Sequence, residues 1–159
     1  MTGRCGSIAV SCVAALTGVV VLAAPQSERP KPKTVTAEGK LVAVADVLAE
    51  RYGVRMDADA AATLRAVERK DGTLIPLIKN VGSNMLFNEK RLLGRVVRIE
   101  GRQYPEVQML DVISFHTVKA SKLYEAYYWC DTCVIKVYRS GRCPCCPTEV
   151  VYRETLVAP

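Results

Sequence analysis

A mainly β fold with short helices, ending in a cysteine-bearing hairpin, is predicted by three features of this 159-residue chain. β-branched and alternating runs recur between Val35 and Val118. Turn residues such as Asp71-Gly72 separate them. Five of the seven cysteines crowd into the stretch "CDTCVIKVYRSGRCPCC", Cys130 to Cys146. The pattern divides into residues 1–24, a leader; 25–34, a linker; 35–122, a β domain; and 123–159, a cysteine module.

The leader is read from Arg4 and the uncharged run Ile8 to Ala24, with small residues before Pro25. This composition suits a secretory signal peptide cleaved near Ala23 or Ala24. The run is at the short limit for a spanning helix, so an uncleaved membrane anchor is the alternative. Either form places the remainder outside the cytoplasm, in the periplasm or beyond, and an anchor would be its only membrane contact. The linker, "PQSERPKPKT", is rich in proline and charge and cannot bury apolar area.

Within 35–122, Val35 to Val44 reads as a strand that turns helical near Asp46 and stops at Gly53. Asp71-Gly72 predicts a hairpin between strands at about 63–69 and 73–79, the second an edge or bulged strand because Pro76 lacks a donor. "SNMLFNEKRLLG" predicts one short helix, capped by Ser83 or Asn84 and stopped by Gly94. "RVVRIEGRQY" is a strand bent at Gly101. "VQMLDVISFHTV" is another, with Leu110, Val112, Ser114 and His116 on one face. This order of elements resembles an OB-type fold, which implies a small five-stranded barrel with an interposed helix.

OB-type barrels often bind nucleic acid through stacked aromatics and a basic groove. Here the later half offers only Phe87, Tyr104 and Phe115, at spacings that suggest no stacking platform. Lys90 to Arg102 holds five basic groups against Glu100, within a formal net charge of +6, and reads as a solvated strand face. Nucleic acid is therefore not the favoured partner, and contact with another protein is. His116, the single histidine, has no nucleophile or carboxylate motif around it. Asp57 and Asp59 lack the third ligand and turn glycine of a cation loop. No phosphate loop, nucleophile elbow or paired-histidine motif occurs, so an enzyme reading has no support and no catalytic residue is assigned.

The cysteines carry the chemistry. Cys130, Cys133, Cys143 and Cys146 form C-x2-C-x9-C-x2-C. Two-residue spacing lets both thiolates of a tight turn face one tetrahedral ion. Val134 to Arg139 has β character and Ser140-Gly141 is a competent turn, so an excursion of ~4 residues each way returns the second pair beside the first. Cys145, the fifth thiol, could replace Cys143 or Cys146 as a ligand, or stay free.

Disulfides rank second: they suit an exported protein but leave one of five thiols over and close no long loop. Thiol redox chemistry ranks third, because Asp131 disfavours a nearby thiolate. Tyr124, Tyr127, Tyr128 and Trp129 are expected to pack the cysteine module on the β domain.

Residues 127–152 resemble a zinc ribbon, with knuckles like those of rubredoxin, although Pro147 stands where ribbons often have glycine. The resemblance implies a structural four-cysteine Zn2+ site, for which iron has equivalent ligands. The whole chain is similar to a group of short exported bacterial proteins of unknown function. They join a leader, a "DGTLIPLI…GRVVRIEGR" segment and a "YYWCDTC…CPCC" ribbon. That similarity implies no activity. Mass spectrometry of the mature protein should find the chain starting at Ala24 or Pro25; retention of residues 1–24 would identify the anchor instead.

Overall fold

The computed structural model describes residues 30–158; the expected leader and residues 25–29 of the expected linker lie outside the described residues, and the linker's Lys33 and Thr34 already belong to the first strand. Among the described residues no helix is long and apolar enough to cross a membrane.

The first strand, β1 (Lys33–Ala43), is long enough to serve two partners. Its Lys33–Lys40 portion pairs with β4 (Val96–Gln103), and Lys40–Ala43 pairs with β2 (Arg65–Glu68). Gly39 lies at the changeover, where a Cβ would sit 2.2 Å from the Glu68 carbonyl oxygen, so only glycine permits the approach. Helix α1 (Val44–Tyr52) follows directly and stops at Gly53, whose φ of 67° lets its N–H reach the Ala49 carbonyl.

The alanines form a short helix, α2 (Ala58–Thr63), which delays β2 to Arg65. The hairpin turn falls at Asp71-Gly72: Arg69 N–H donates to the Thr73 carbonyl and the Asp71 carboxylate accepts from Thr73 N–H. β3 (Leu74–Pro76) is shorter than the 73–79 expected and ends the sheet, where its proline leaves no ladder donor missing inside.

The helix expected through residue 93 is interrupted. α3 (Asn84–Asn88) ends at Glu89, whose φ of −92° and ψ of 101° are extended, and a 3₁₀ turn (Lys90–Leu92) follows. Ser83 makes no side-chain cap. Its buried hydroxyl instead accepts from Asn80 N–H and donates to the Ile78 carbonyl. α3 still delivers Met85, Leu86 and Phe87 to the core.

β5 (Leu110–Lys119) corrects another expectation. Glu100 pairs with Ser114 but Gly101 pairs with Val112, so Ile113 is an extra residue, a β-bulge. Leu110 and Val112 are buried before it, while Thr117 is buried after it. The inward phase therefore flips, and Leu110, Val112, Ser114 and His116 do not share one face throughout.

Eight strands form a sheet in the order β3-β2-β1-β4-β5-β6-β7, with β8 (Val151–Leu156) on β6 (Lys122–Cys130). The sheet is not closed. Past Pro76 the chain reaches β5 through one parallel bridge, Leu77 with Leu110, where Ile78 N–H donates to the Leu110 carbonyl. The core gathers around Leu41, Val67, Leu86, Leu92, Ile99 and Leu110.

β6 is buried at three consecutive residues, Ala126, Tyr127 and Tyr128. Ala126 and Tyr128 enter the core, while Tyr127 and Trp129 meet edge-on, with ring centroids 6.4 Å apart. Of the four aromatics expected to pack the cysteine module inward, Tyr128 joins the core cluster. Its hydroxyl donates to Glu89 Oε2 at 2.5 Å, which accounts for the break after α3.

The basic stretch is largely internally paired. Arg91 bonds Glu89, Arg95 bonds Glu154, Arg98 bonds Glu38, and Arg102 lies 3.8 Å from Asp111. Glu89 and Glu154 are the two enclosed carboxylates, 8% and 11% exposed. Arg91 is the main influence that holds Glu89 at about 2, against burial and with help from Tyr128. Burial pushes Glu154 up, but hydrogen bonds from Lys119, Arg95, Thr117 and Tyr152 together hold it at about 2. Burial, then the Glu89 hydrogen bond, pushes Tyr128 up to about 12.

Both carboxylates sit below their ordinary 4.5, so their stabilisation is complete above that pH and is lost as pH falls toward 2. Glu154→Gln should therefore cost about 2–3 kcal/mol at pH 7 in urea denaturation. The gap from the parent should close between pH 4.5 and 2; a gap independent of pH would contradict the assignment.

Candidate metal centre

The site is built on the end of β6. Cys130 is its last residue and is fully buried. The chain turns at Cys130–Cys133, with Val134 N–H donating to the Cys130 carbonyl, and returns as β7 (Ile135–Val137), paired with Tyr128–Cys130. To make this turn, Val134 adopts φ 56°, a left-handed conformation that a β-branched residue resists.

Gly141, at φ 97°, then reverses the chain. The second turn, Cys143–Cys146, is clasped by an Arg142–Glu149 bridge and by Cys143 N–H donating to the Thr148 carbonyl. β8 follows, pairing with β6 from Tyr124 to Trp129. Because Tyr128 pairs with both Val137 and Tyr152, β7 and β8 occupy opposite edges of β6.

This differs from the hairpin expected between Val134–Arg139 and the segment after Ser140-Gly141. The outgoing strand pairs with β6, and the returning segment folds on itself through the Arg142–Glu149 bridge before β8 takes the other edge of β6. The sulfurs converge because both turns are anchored to the same strand.

The Sγ atoms of Cys130, Cys133, Cys143 and Cys146 all lie within 4.8 Å of one another. Tetrahedral Zn–S bonds of about 2.3 Å require sulfurs roughly 3.8 Å apart, so small adjustments place four ligands around one ion. Cys130 Sγ and Cys146 Sγ are 3.5 Å apart, well beyond a disulfide bond, and all five cysteines of the described residues are free thiols. Backbone N–H groups of Cys133 and Cys145 point at Cys130 Sγ and Cys143 Sγ, each at 3.4 Å. Such donors stabilise thiolate charge.

The thiols do not share charge equally. Thr148 pulls Cys146 down to about 6, and the N–H of Cys145 lowers Cys143. Hydrogen bonding to Cys146 pushes Cys133 up. Cys133 N–H favours the Cys130 thiolate, but burial and the neighbouring thiols outweigh it and raise the thiol. Four thiolates this close repel one another, and a divalent cation is the charge that lets all four ionise together.

Cys145 is exposed and outside the four-sulfur group; its backbone serves Cys143. Asp131, read from the sequence as hostile to thiolates, is held by Arg153 at 2.6 Å. Sequence reasoning missed Thr132 and Thr148, whose hydroxyls meet at 3.1 Å and tie the two turns together. Their only sequence signal is proximity: each stands within two residues of a ligand cysteine. His116 stands on β5, opposite Arg98 of β4, and is not part of the four-cysteine cluster. Asp57 occupies the N-cap of α2 without a side-chain cap bond.

No protein-family model, curated protein or solved structure matches this chain.

The strained turn gives a direct test. Val134 is 66% exposed, so its removal loses little buried area. Relief of ~1–2 kcal/mol of left-handed strain exceeds the ~0.5–1 kcal/mol entropic cost of glycine. Val134→Gly should raise the urea midpoint of the metal-loaded protein by up to about 1 kcal/mol equivalent; a lowered midpoint would contradict the strain argument.

Proposed function

We propose that this chain is an exported, non-enzymatic zinc protein whose four-cysteine site supports a surface for protein contact or assembly. The observation that carries the reading is the convergence of four sulfurs from two C-x2-C turns on the end of one strand. A closed set of four thiolates suits structural zinc, with no position kept open for a substrate. Iron would find the same ligands, and zinc is preferred because the thiolate set demands no redox change.

The β6–β8 module has little apolar area of its own. Bound zinc contributes ~10–16 kcal/mol of apparent folding free energy in small finger peptides at neutral pH. The apolar leader in residues 8–24 supports export. The order β3-β2-β1-β4-β5, the Leu77–Leu110 bridge and a helix between β3 and β4 support the OB-like reading of the larger part. Internal pairing of Arg91, Arg95 and Arg98 with carboxylates supports a partner other than nucleic acid.

Metal analysis of full-length protein purified without reductant tests the reading. About one zinc per chain is expected, retained in Cys145→Ser and lost in Cys133→Ser on dialysis against a weak chelator. Metal-free protein holding two disulfides would overturn it in favour of thiol redox chemistry. Loss of zinc from Cys145→Ser would show that the ligand set is misassigned.

A further inference from the structure

β6 lends one edge to two strands that never meet. β5 pairs with it only over Lys122–Tyr124, and β7 only over Tyr128–Cys130. Between them the sheet forks. On one arm, Ile113 to His116 of β5 pair with β4 alone or bulge, and on the other β7 ends the sheet. Among the described residues, both arms therefore present strand edges without a neighbouring strand, the backbone groups that an added strand uses.

The fork opens into a continuous groove. Its inner part, about 400 Å³, runs from Ile113 and His116 across Ala126 to Tyr138. Its outer part, about 760 Å³, follows β7 from Lys136 to Arg139 against Lys79 and Asn84. Val81 and Tyr138 belong to both parts. Three apolar side chains are left to water here: Val81 is 93% exposed, Tyr138 51% and Ile113 44%. An exposed valine on a loop facing an exposed tyrosine just past the end of an edge strand is the arrangement of a contact surface.

The charge of the groove is one-sided. Lys79, Lys136 and Arg139 line the outer part, which has no carboxylate. Glu125, the acidic residue of the inner part, is already engaged by Lys136 and by the Tyr138 hydroxyl at 2.9 Å. The groove thus offers strand edges, an apolar floor and the positive charge of Lys79 and Arg139 beyond the Lys136–Glu125 pair.

We infer that this fork is a docking slot for an extended acidic segment of a partner protein, one that alternates apolar and carboxylate side chains. The open strand edges favour a peptide over a nucleic acid, because they pair with a peptide backbone and not with a phosphodiester. Apolar side chains of the added segment would face Val81 and Ile113, with carboxylates toward Lys79 and Arg139. The inference rests on the contact role proposed above. It adds that zinc acts on docking by holding β7 in place.

The test uses the zinc-loaded full chain and a fluorescein-labelled, end-capped octapeptide alternating glutamate and valine, with a lysine–valine octapeptide as control. Fluorescence anisotropy should show the acidic peptide binding at least ~10-fold more tightly than the basic one. Val81→Asp, at a position too exposed to affect folding, and Arg139→Glu should each weaken it ~10-fold while zinc content stays at one per chain. Amide shifts should concentrate at Ile113–His116 and Lys136–Tyr138.

Equal binding of the two peptides, or no effect of Val81→Asp, would overturn the inference. So would tighter binding of an oligothymidylate of matched charge, or a concentration-dependent dimer that Val81→Asp dissolves. Normal zinc with no peptide binding would refute the slot alone, whereas absent zinc would refute the metal reading independently.

Discussion

Both halves of this molecule depend on β6. It continues the core sheet through β5, buries Ala126 and Tyr128 beside the aliphatic core, and delivers Cys130 to the end of the same strand. Its two edges hold β7 and β8, each adjoining a cysteine turn. A two-stranded hairpin is marginal in water, but a strand braced on both edges and seated on a core is a rigid post. The cysteine positions inherit that rigidity.

Polar interactions reinforce the same junction. Glu89, where the helix breaks, receives the Tyr128 hydroxyl and the Arg91 guanidinium, and Arg91 lies 4.0 Å from the centre of the Tyr152 ring. Glu154 on β8 gathers Arg95, Lys119, Thr117 and Tyr152. These enclosed carboxylates are costly to desolvate, and each is matched by several donors. Their partners come from the 3₁₀ turn, from Arg95 just ahead of β4, and from β5, β6 and β8, so the networks tie the cysteine module to the rest through side chains as well as strands.

Much of this was legible in the sequence, for physical reasons that differ by element. The cysteine spacing was readable because a C-x2-C turn is local, and two of them need only a common anchor. Gly53, Asp71-Gly72 and Pro76 were readable because their backbone demands are local as well. The bulge at Ile113 was not, since an extra residue leaves no mark on an apolar run, yet it reverses which side chains face inward.

Glu89 interrupts a good helical pattern because a tyrosine 39 positions later supplies its partner. The basic stretch looked like an unpaired face for the same reason: Arg95 and Arg98 find carboxylates 59 and 60 positions away. The threonine pair at the cysteine turns and the fork between β5 and β7 exist only once β6 has assembled its neighbours.

Four cysteines from β6 and its two flanking turns could hold one metal ion, which we propose is zinc. Zinc K-edge X-ray absorption on the full-length protein measures this directly. The account predicts a single shell of four sulfurs at about 2.3 Å, unchanged in Cys145→Ser. A shell containing nitrogen or oxygen ligands, or fewer than four sulfurs, would contradict it.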